Sequence, residues 1–314
     1  MFAVGRKLEA SLALAGGGCK AFYALGFCRE MREWGVRFSE ISGVSAGAAM
    51  ALCILSGTED ESVEYFEAIV ARNPSNFRLT NIWRRERTFP HEEMYRRTIR
   101  AGMRWDKMKA SGSKIFIHAV KALPKTQGLS KFRMARLISE TARAFVLDDR
   151  DKTEGIPSNR IKAILQKWNM EDVTFTEKHF IDPNMVEQII MNSSSIPPIV
   201  DFQSVGNEYY LDGGLTNNLL IEKFSPKSRK IGIYYEPNTI FGKNSSLLEE
   251  TLLIRPSEPI PITSFDYTNP KGIRDTYNLG RTDANYWKQR ILSHLDPPRF
   301  FGFRLPSIFG RPSK

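Results

Sequence analysis

The first part of the chain alternates twice between a strand pattern and a helix pattern, and this order constrains the fold more than any other feature of the sequence. The runs LEASLALA and VRFSEIS are typical of strands, whereas CKAFYALGFCREMREWG and AGAAMALCILSG are typical of helices. Parallel strands need such crossover helices between them. We therefore predict an α/β fold in which helices sandwich a mostly parallel central sheet.

Later segments of the chain add to this sheet. Thr58-Glu59-Asp60-Glu61 predicts a capping box for a third helix that reaches about residue 72. Further strand patterns are VTFTE, HFID, VDFQSVG, NEYYLDGG, KIGIYYEP and TLLIRP, and a helix pattern covers about residues 275–292. Residues 173–255 thus complete the sheet that begins near the N-terminus.

Between these two groups of strands, residues 73–150 form a basic, helical and aromatic segment without a strand signal. We interpret this segment as an insertion within a single domain over residues 1–296, followed by a basic aromatic tail over 297–314. The stretch from Arg72 to Arg136 contains 17 Lys or Arg residues and four acidic ones, and the tail contains four basic residues and no acidic one. The rest of the chain is mildly acidic, although the formal net charge of the whole is +10.

The sequence also restricts the cellular setting. It contains no apolar run of about 18 residues, so we predict no transmembrane helix. Arg6 and Lys7 precede a short apolar run that imitates a signal peptide, but Glu9 interrupts this run, and a first strand explains it better. The expected location is therefore the cytoplasm or a membrane surface.

Three cysteines, Cys19, Cys28 and Cys53, lie in apolar segments without the spacing of metal ligands. They are most simply reduced, buried thiols. No metal or cofactor is implied by these residues.

The pentapeptide Gly43-Val44-Ser45-Ala46-Gly47 joins the second strand to the helix that follows it. A nucleophile elbow has this G-x-S-x-G pattern, because a sharp turn between small neighbours exposes the serine hydroxyl. An ordinary turn between a strand and a helix explains the same five residues equally well. Other residues must therefore decide between the two interpretations.

The first strand ends in the glycine run Gly16–Gly18, which opens directly into a helix and suits a bound anion. In a dinucleotide site, the glycine pattern would continue to Ala21 and Glu40 would contact the ribose. That acidic residue should stand at the end of the second strand, but Gly43-Val44-Ser45 occupies this place. A phosphate loop is excluded, because no Gly-Lys-Ser/Thr follows. An oxyanion hole fits, because neighbouring parallel strands would place these glycines beside Ser45.

A nucleophilic serine also needs a base. Asp212, in Leu211-Asp212-Gly213-Gly214, ends a strand at a tight turn. Alone, Asp-Gly is most often only a turn. The three elements G-G-G-x-K, G-V-S-A-G and D-G-G together are a stronger signal than any one of them.

This set of motifs resembles the patatin-like phospholipase family, in which a glycine-rich loop, G-x-S-x-G and D-G-G/A occur in this order. The segment NSSSIPP at residues 192–198 and Asn217-Asn218 after D-G-G extend the resemblance, which covers about residues 8–72 and 173–235. Lys20, Ala21 and Leu220 stand where the family often has Arg, Gly and Pro. These departures concern loop geometry more than chemistry.

The resemblance implies a serine acyl hydrolase that releases fatty acids from phospholipids or other lipid acyl esters. In this mechanism Asp212 takes the proton of Ser45 without a histidine, and the N–H groups of Gly16, Gly17 and Gly18 form the oxyanion hole. It implies no metal or cofactor. A free aspartic acid, with a pKa of about 3.9, is a weak base, so Asp212 would have to be buried.

Two other functions stay open. An α/β-hydrolase would use the triad Ser45, Asp212 and His294, but an elbow after the second strand is early for that fold and His294 lies near the tail. A catalytically silent, basic membrane- or nucleic-acid-binding module would not need the three motifs. Nucleic acid is an unlikely partner, because the sequence has no recognised reader motif.

The segment 91–109 also predicts a docking surface for an anionic membrane. An apolar stripe shares one helical face: Met94, Thr98, Ala101, Trp105 and Met108. Basic residues lie largely elsewhere: Arg96, Arg97, Arg100, Arg104 and Lys107. Such a helix suits a lid or an anionic membrane surface. Alternatively, the stripe packs on the core and the arginines are surface charge, or the face binds an acidic activator protein.

Overall fold

The computed structural model describes residues 8–78, 87–122, 131–153, 160–197, 199–205, 208–236, 245–297, 299–300 and 303–304. Most of the predicted tail over 297–314 lies outside these ranges. The first elements along the chain are β1 (Leu8–Leu14), α1 (Phe22–Glu33), β2 (Val36–Val44), α2 (Ala46–Ser56) and α3 (Glu59–Val70). The glycine run leads into α1 through a 3-10 turn at Gly18–Ala21.

The middle of the chain contains α4 (His91–Gly102), α5 (Trp105–Ala110), β3 (Lys114–Ala122), α6 (Lys131–Thr153), α7 (Arg160–Lys167), β4 (Met170–Thr176) and α8 (Pro183–Ser193). The remaining elements are β5 (Gln203–Val205), β6 (Glu208–Asp212), β7 (Lys230–Ile233), α9 (Ser245–Glu249), β8 (Leu252–Ile254), α10 (Pro270–Leu295), β9 (Arg299–Phe300) and β10 (Phe303–Arg304). The last two strands form a separate antiparallel pair.

Eight strands form one central sheet that is flanked by helices, with the order β5-β6-β3-β2-β1-β7-β8 and with β4 paired to β3. The strands β3, β2, β1, β7 and β8 are parallel to one another. The strands β4, β5 and β6 add antiparallel pairs at one side. The predicted α/β fold with a mostly parallel sheet is therefore confirmed.

Strand β3 pairs with two different strands along one of its edges. Its first half pairs in parallel with β2, up to the pair Val44–His118, and its second half pairs with β6, from the pair Asp212–Ala119 onward. Strand β4 covers the opposite edge from Phe116 to Ala122. Strands β2 and β6 therefore run toward each other along β3 and end at neighbouring positions.

The prediction that residues 73–150 contain no strand is wrong, because β3 lies inside this segment. The sequence KIFIHAVKA has basic residues at both ends and a histidine in the middle, and its flanks are basic and helical, so the pattern was obscured. Ile115, Ile117 and Ala119 are all buried in the sheet. The segment is thus part of the central sheet and not a purely helical insertion.

Two smaller predictions are also wrong. The run HFID is not a strand, since a 3-10 turn ends at His179 and α8 begins at Pro183. Thr58 precedes α3 without capping it through its side chain. Its hydroxyl donates instead to the carbonyl oxygen of Gly102, at 2.5 Å, because α4 packs closely against this corner.

We expect Ile117→Ala to destabilise the fold by about 2–5 kcal/mol, because the side chain is fully buried in the central strand and its removal leaves a cavity. Chemical denaturation measures this free energy of unfolding. The control is Lys107→Ala, an exposed change in the same segment, which we expect to alter it by no more than about 0.5 kcal/mol. Equal effects of the two changes would contradict a central role for β3.

Candidate active site

Ser45 occupies a strained corner between β2 and α2. Its backbone angles are φ 54° and ψ −129°, a region that residues with a Cβ atom seldom adopt. Two residues later, a Cβ atom on Gly47 would lie only 2.4 Å from the carbonyl oxygen of Leu14, so glycine is needed for the start of α2 to reach the end of β1. This strained backbone and tight packing match what the elbow interpretation requires.

Asp212 ends β6 beside this corner and is almost completely buried. Its Oδ1 accepts a hydrogen bond of 2.7 Å from the N–H of Gly214. The hydroxyl of Ser45 lies near the carboxylate and stabilises its charge, although Oδ2 forms no hydrogen bond of regular geometry within the described ranges. Burial nevertheless dominates and raises the pKa of Asp212 to about 7, above the usual value, while the Ser45 and Gly214 contacts lower it in part.

The three glycines after β1 differ in what their N–H groups bind. Gly16 donates to Oδ1 of Asn218 at 2.7 Å, and a Cβ atom on Gly16 would lie 2.8 Å from the Cβ of Ser45. Gly17 and Gly18 donate no hydrogen bond within the part of the chain that the structure describes. The predicted trio therefore has two unused donors, because Gly16 is already bound to Asn218.

Position 18 also requires glycine. Its φ is +56°, and a Cβ atom would lie 2.0 Å from the carbonyl oxygen of Ser264. The next residue, Cys19, donates its N–H to that same oxygen at 2.9 Å. The loop after β8 thus holds the glycine loop in place.

A cavity of about 430 Å³, including its solvent-open part, extends from this corner. Gly18 and Ala46 line it at the glycine loop and the elbow, and apolar side chains from three helices line the rest, among them Ala49, Met50, Phe66 and Ile99. Cys19 and Cys53 contribute buried, unpaired thiols to its wall, which confirms the prediction of free cysteines.

His294 does not complete a triad with Ser45 and Asp212. Its Nε2 lies 3.1 Å from the carbonyl oxygen of Lys230, the first residue of β7. Lys230 pairs with Ser11 in the middle of β1, whereas the elbow follows the end of the neighbouring strand β2, so His294 lies away from Ser45. His294 is also partly buried and not a surface residue, and this burial lowers its pKa to about 4.

His118 lies beside the site, on the strand where β2 and β6 end. It is buried in β3, and its ring nitrogens lie 3.2 Å from the carbonyl oxygen of Val173 and 2.9 Å from the hydroxyl of Thr216. Thr216 follows the Asp212 turn and donates its N–H to Gly213. The His118 ring therefore stabilises the turn that follows Asp212 through its contact with Thr216.

Glu40 is used within the fold and not at a ligand site. Its carboxylate accepts hydrogen bonds of 2.6 Å from each of the hydroxyls of Ser11 and Ser225. It lies in the middle of β2, four residues before the strand ends. A ribose contact of the dinucleotide type is not available to it.

The predicted apolar stripe of residues 94–108 packs on the core and does not face outward. Met94, Thr98 and Met108 are buried, and Trp105 is half-buried against the main hydrophobic cluster. The helix is also interrupted, since α4 ends at residue 102 and α5 begins at residue 105. The buried part of the stripe therefore fixes the two helices to the core and does not form an outward apolar face, whereas membrane docking by this segment stays a prediction.

The basic residues of this segment form ion pairs within the chain. Arg96 binds Glu187 at 2.9 Å and also Glu92, Arg100 binds Glu187 at 2.5 Å, and Arg97 pairs with Glu93. Arg104 is exposed and donates to the carbonyl oxygen of Ala101 at 3.0 Å. Binding of an anionic membrane or an acidic activator by the exposed members stays a prediction.

Among the described residues, no helix combines the length and apolar character that a membrane span needs. The model of the family described as patatin-like phospholipase matches residues 12–224, which is more than half of the 314-residue chain. The chain therefore belongs to the patatin-like phospholipase family, a family of lipid hydrolases. The match runs through β3, in agreement with its central place in the sheet. A comparison with curated proteins found no match.

The raised pKa of Asp212 predicts a pH-dependent effect on stability. The unfolded chain ionises this group near pH 4 and the folded chain near pH 7, so the wild-type protein loses stability as the pH rises between these values. We expect Asp212→Asn, which stays neutral, to raise the melting temperature more at pH 8 than at pH 5. The free energy of unfolding that the wild-type protein loses by ionising Asp212 at pH 8 is at most on the order of 4 kcal/mol.

Thermal unfolding at both pH values measures this difference, with the exposed change Asp106→Asn as the control. A gain that is the same at pH 5 and pH 8, or that also appears in the control, would contradict the buried, protonated state of Asp212.

Proposed function

We propose that this protein is a serine acyl hydrolase that releases fatty acids from phospholipids or other lipid acyl esters through Ser45 and Asp212. The observation that carries the proposal is the meeting of β2 and β6 on β3, which brings a strained serine beside a buried aspartate with a pKa near 7. Membership in the patatin-like phospholipase family supports the lipid substrate.

In the proposed reaction, Asp212 accepts the proton of Ser45 while Oγ attacks the ester carbonyl. The tetrahedral intermediate collapses, Asp212 returns the proton to the leaving alcohol, and the acyl group stays on Ser45. Water then attacks the acyl-enzyme, with Asp212 again as the base, and the fatty acid is released. A base whose pKa lies near the working pH is well suited to such proton transfers, and burial supplies this value.

The negative charge of the intermediate needs hydrogen-bond donors. The unused N–H groups of Gly17 and Gly18 are the proposed donors. Ala46 is a further candidate, because it is the first residue of α2 and its N–H has no partner within the helix. Gly16 has a different proposed role, in which its lack of a side chain leaves room beside Ser45.

The apolar cavity supports an acyl chain as the substrate group. It begins between the glycine loop and Ala46, which is where the carbonyl of an ester bound to Ser45 would lie. Its walls are apolar along α2, α3 and α4, so burial of methylene groups there is favourable.

We expect Ser45→Ala and Asp212→Asn each to reduce fatty acid release by roughly 10⁴-fold or more, because each removes a group that acts in both half-reactions. Release from mixed phospholipid vesicles measures this, and circular dichroism verifies the fold. His294→Ala is the control and should retain activity. An inactive His294→Ala protein beside an active Asp212→Asn protein would favour the triad, and a wild-type protein without release would favour the silent binding module.

We expect Ala49→Phe to suppress hydrolysis of long acyl chains, because Ala49 lines the cavity and a benzyl group there would fill part of it. Acetyl ester hydrolysis should change by less than about threefold, because a short chain does not reach deep into the cavity. Rates for a series of soluble esters of increasing chain length measure the ratio of long-chain to acetyl ester hydrolysis. Ala49→Val should give a ratio between those of the wild-type protein and Ala49→Phe. An unchanged profile for both variants would exclude this cavity as the acyl site.

A further inference from the structure

The last turn of α8 and the residues after it contain three consecutive serines, Ser193, Ser194 and Ser195, which are all buried. The segment NSSSIPP was part of the family resemblance, but the sequence assigned no role to these hydroxyls. Each serine makes a different contact near the elbow. Ser193 binds the Ser45 peptide directly, and Ser194 contacts Tyr95, which binds it as well.

Ser193 binds the N–H of Ser45. Its Oγ accepts this hydrogen bond at 2.8 Å and donates its own hydrogen to the carbonyl oxygen of His118 at 2.6 Å. His118 is the β3 residue at which β2 ends, next to the position that pairs with Asp212. One hydroxyl therefore links the nucleophile to the strand that also positions the base.

Tyr95 binds the carbonyl group of Ser45, and Ser194 contacts the Tyr95 hydroxyl. The hydroxyl of Tyr95, from α4, donates to the carbonyl oxygen of Ser45 at 3.3 Å and lies 3.1 Å from the hydroxyl of Ser194. Burial raises the pKa of Tyr95 well above its usual value, so the hydroxyl keeps its proton and remains a donor. The N–H of Ser45 is thus held from outside β2 and α2, and its C=O accepts both the Tyr95 hydroxyl and, within α2, the N–H of Ala48 at 2.9 Å.

These contacts matter because the backbone of Ser45 is strained. A residue with a Cβ atom keeps such angles only when its surroundings over-determine them. Relaxation of the Ser45 peptide would break the bond to Ser193 and would turn Oγ away from Asp212. We propose that Ser193 and Tyr95, supported by Ser194, are positioning residues that hold Ser45 in its reactive orientation.

The side chain of Ser195 offers a matched control within the same segment, because Ser195→Ala leaves in place the backbone hydrogen bond of 2.9 Å from the N–H of Asp212 to the carbonyl oxygen of Ser195. Its Oγ donates to the carbonyl oxygen of Asp201 at 2.9 Å, so its side chain satisfies a buried partner without a bond to Ser45. Loss of this hydroxyl removes one buried hydrogen bond, as loss of the Ser193 hydroxyl does. A purely structural role for Ser193 would therefore make the two serines equivalent in both stability and activity.

The inference rests on the proposed function, and the test compares Ser193→Ala, Ser193→Thr, Tyr95→Phe and Ser195→Ala in the full chain. The measurements are kcat and KM for a soluble ester, the rate at which a fluorophosphonate labels Ser45, and the melting temperature. We expect Ser193→Ala to lower kcat and the labelling rate by about ten- to a hundredfold, with KM changed less than about twofold. Ser193→Thr keeps a hydroxyl and should recover part of both rates.

Ser195→Ala should lower the melting temperature to a similar extent while it changes kcat and the labelling rate by less than about threefold. Tyr95→Phe removes only a hydroxyl and should lower both rates by roughly three- to tenfold; it decides the question if Ser193→Ala does not fold. The inference would be overturned if Ser193→Ala or Tyr95→Phe had the same kcat and labelling rate as Ser195→Ala. If Ser45→Ala were inactive in the same assay, the proposed function would still stand. Wild-type protein with neither hydrolysis nor labelling of Ser45 would overturn the proposed function as well.

Discussion

The arrangement of the candidate site depends on the way two strands share one edge of β3. Strand β2 approaches along this edge from one direction and β6 from the other, and they end at His118 and Ala119. Hydrogen bonds along β3 thus determine how far the elbow at Ser45 lies from Asp212. The centre of β3 is buried and paired on both edges, so the whole sheet resists small displacements of the ends of β2 and β6.

Burial has two opposite consequences at this site. It raises the pKa of Asp212 toward 7, which makes the carboxylate a better proton acceptor but costs folding free energy once the group is ionised. It also makes each hydrogen bond to the Ser45 peptide more valuable, because an unpaired backbone group has no water to bind. The strain at Ser45 and the pKa of Asp212 are therefore both maintained by the dense packing around them.

The segment between α3 and β4 has a different relation to the sheet from the one that its composition suggests. Its charge indicated a surface insertion, yet it contributes β3 and the helix that holds Tyr95. Arg96 and Arg100 meet Glu187 of α8, which also leads into the serines that contact the elbow. Part of the positive charge is thus used inside the chain, to join α4 to α8.

The class of fold, the glycine loop, the elbow and the Asp-Gly-Gly turn could all be predicted from the sequence, because strand–helix alternation and short-range turn chemistry are local properties. The sequence did not identify β3, because basic flanks obscured a strand whose partners β2, β4 and β6 all lie far from it along the chain. The contacts of Ser193, Tyr95 and Asn218, and the burial of most of the stripe at residues 94–108, likewise emerge only from the folded chain. Contacts between distant segments leave no periodic pattern, so only the tertiary structure could reveal which side chains meet at Ser45.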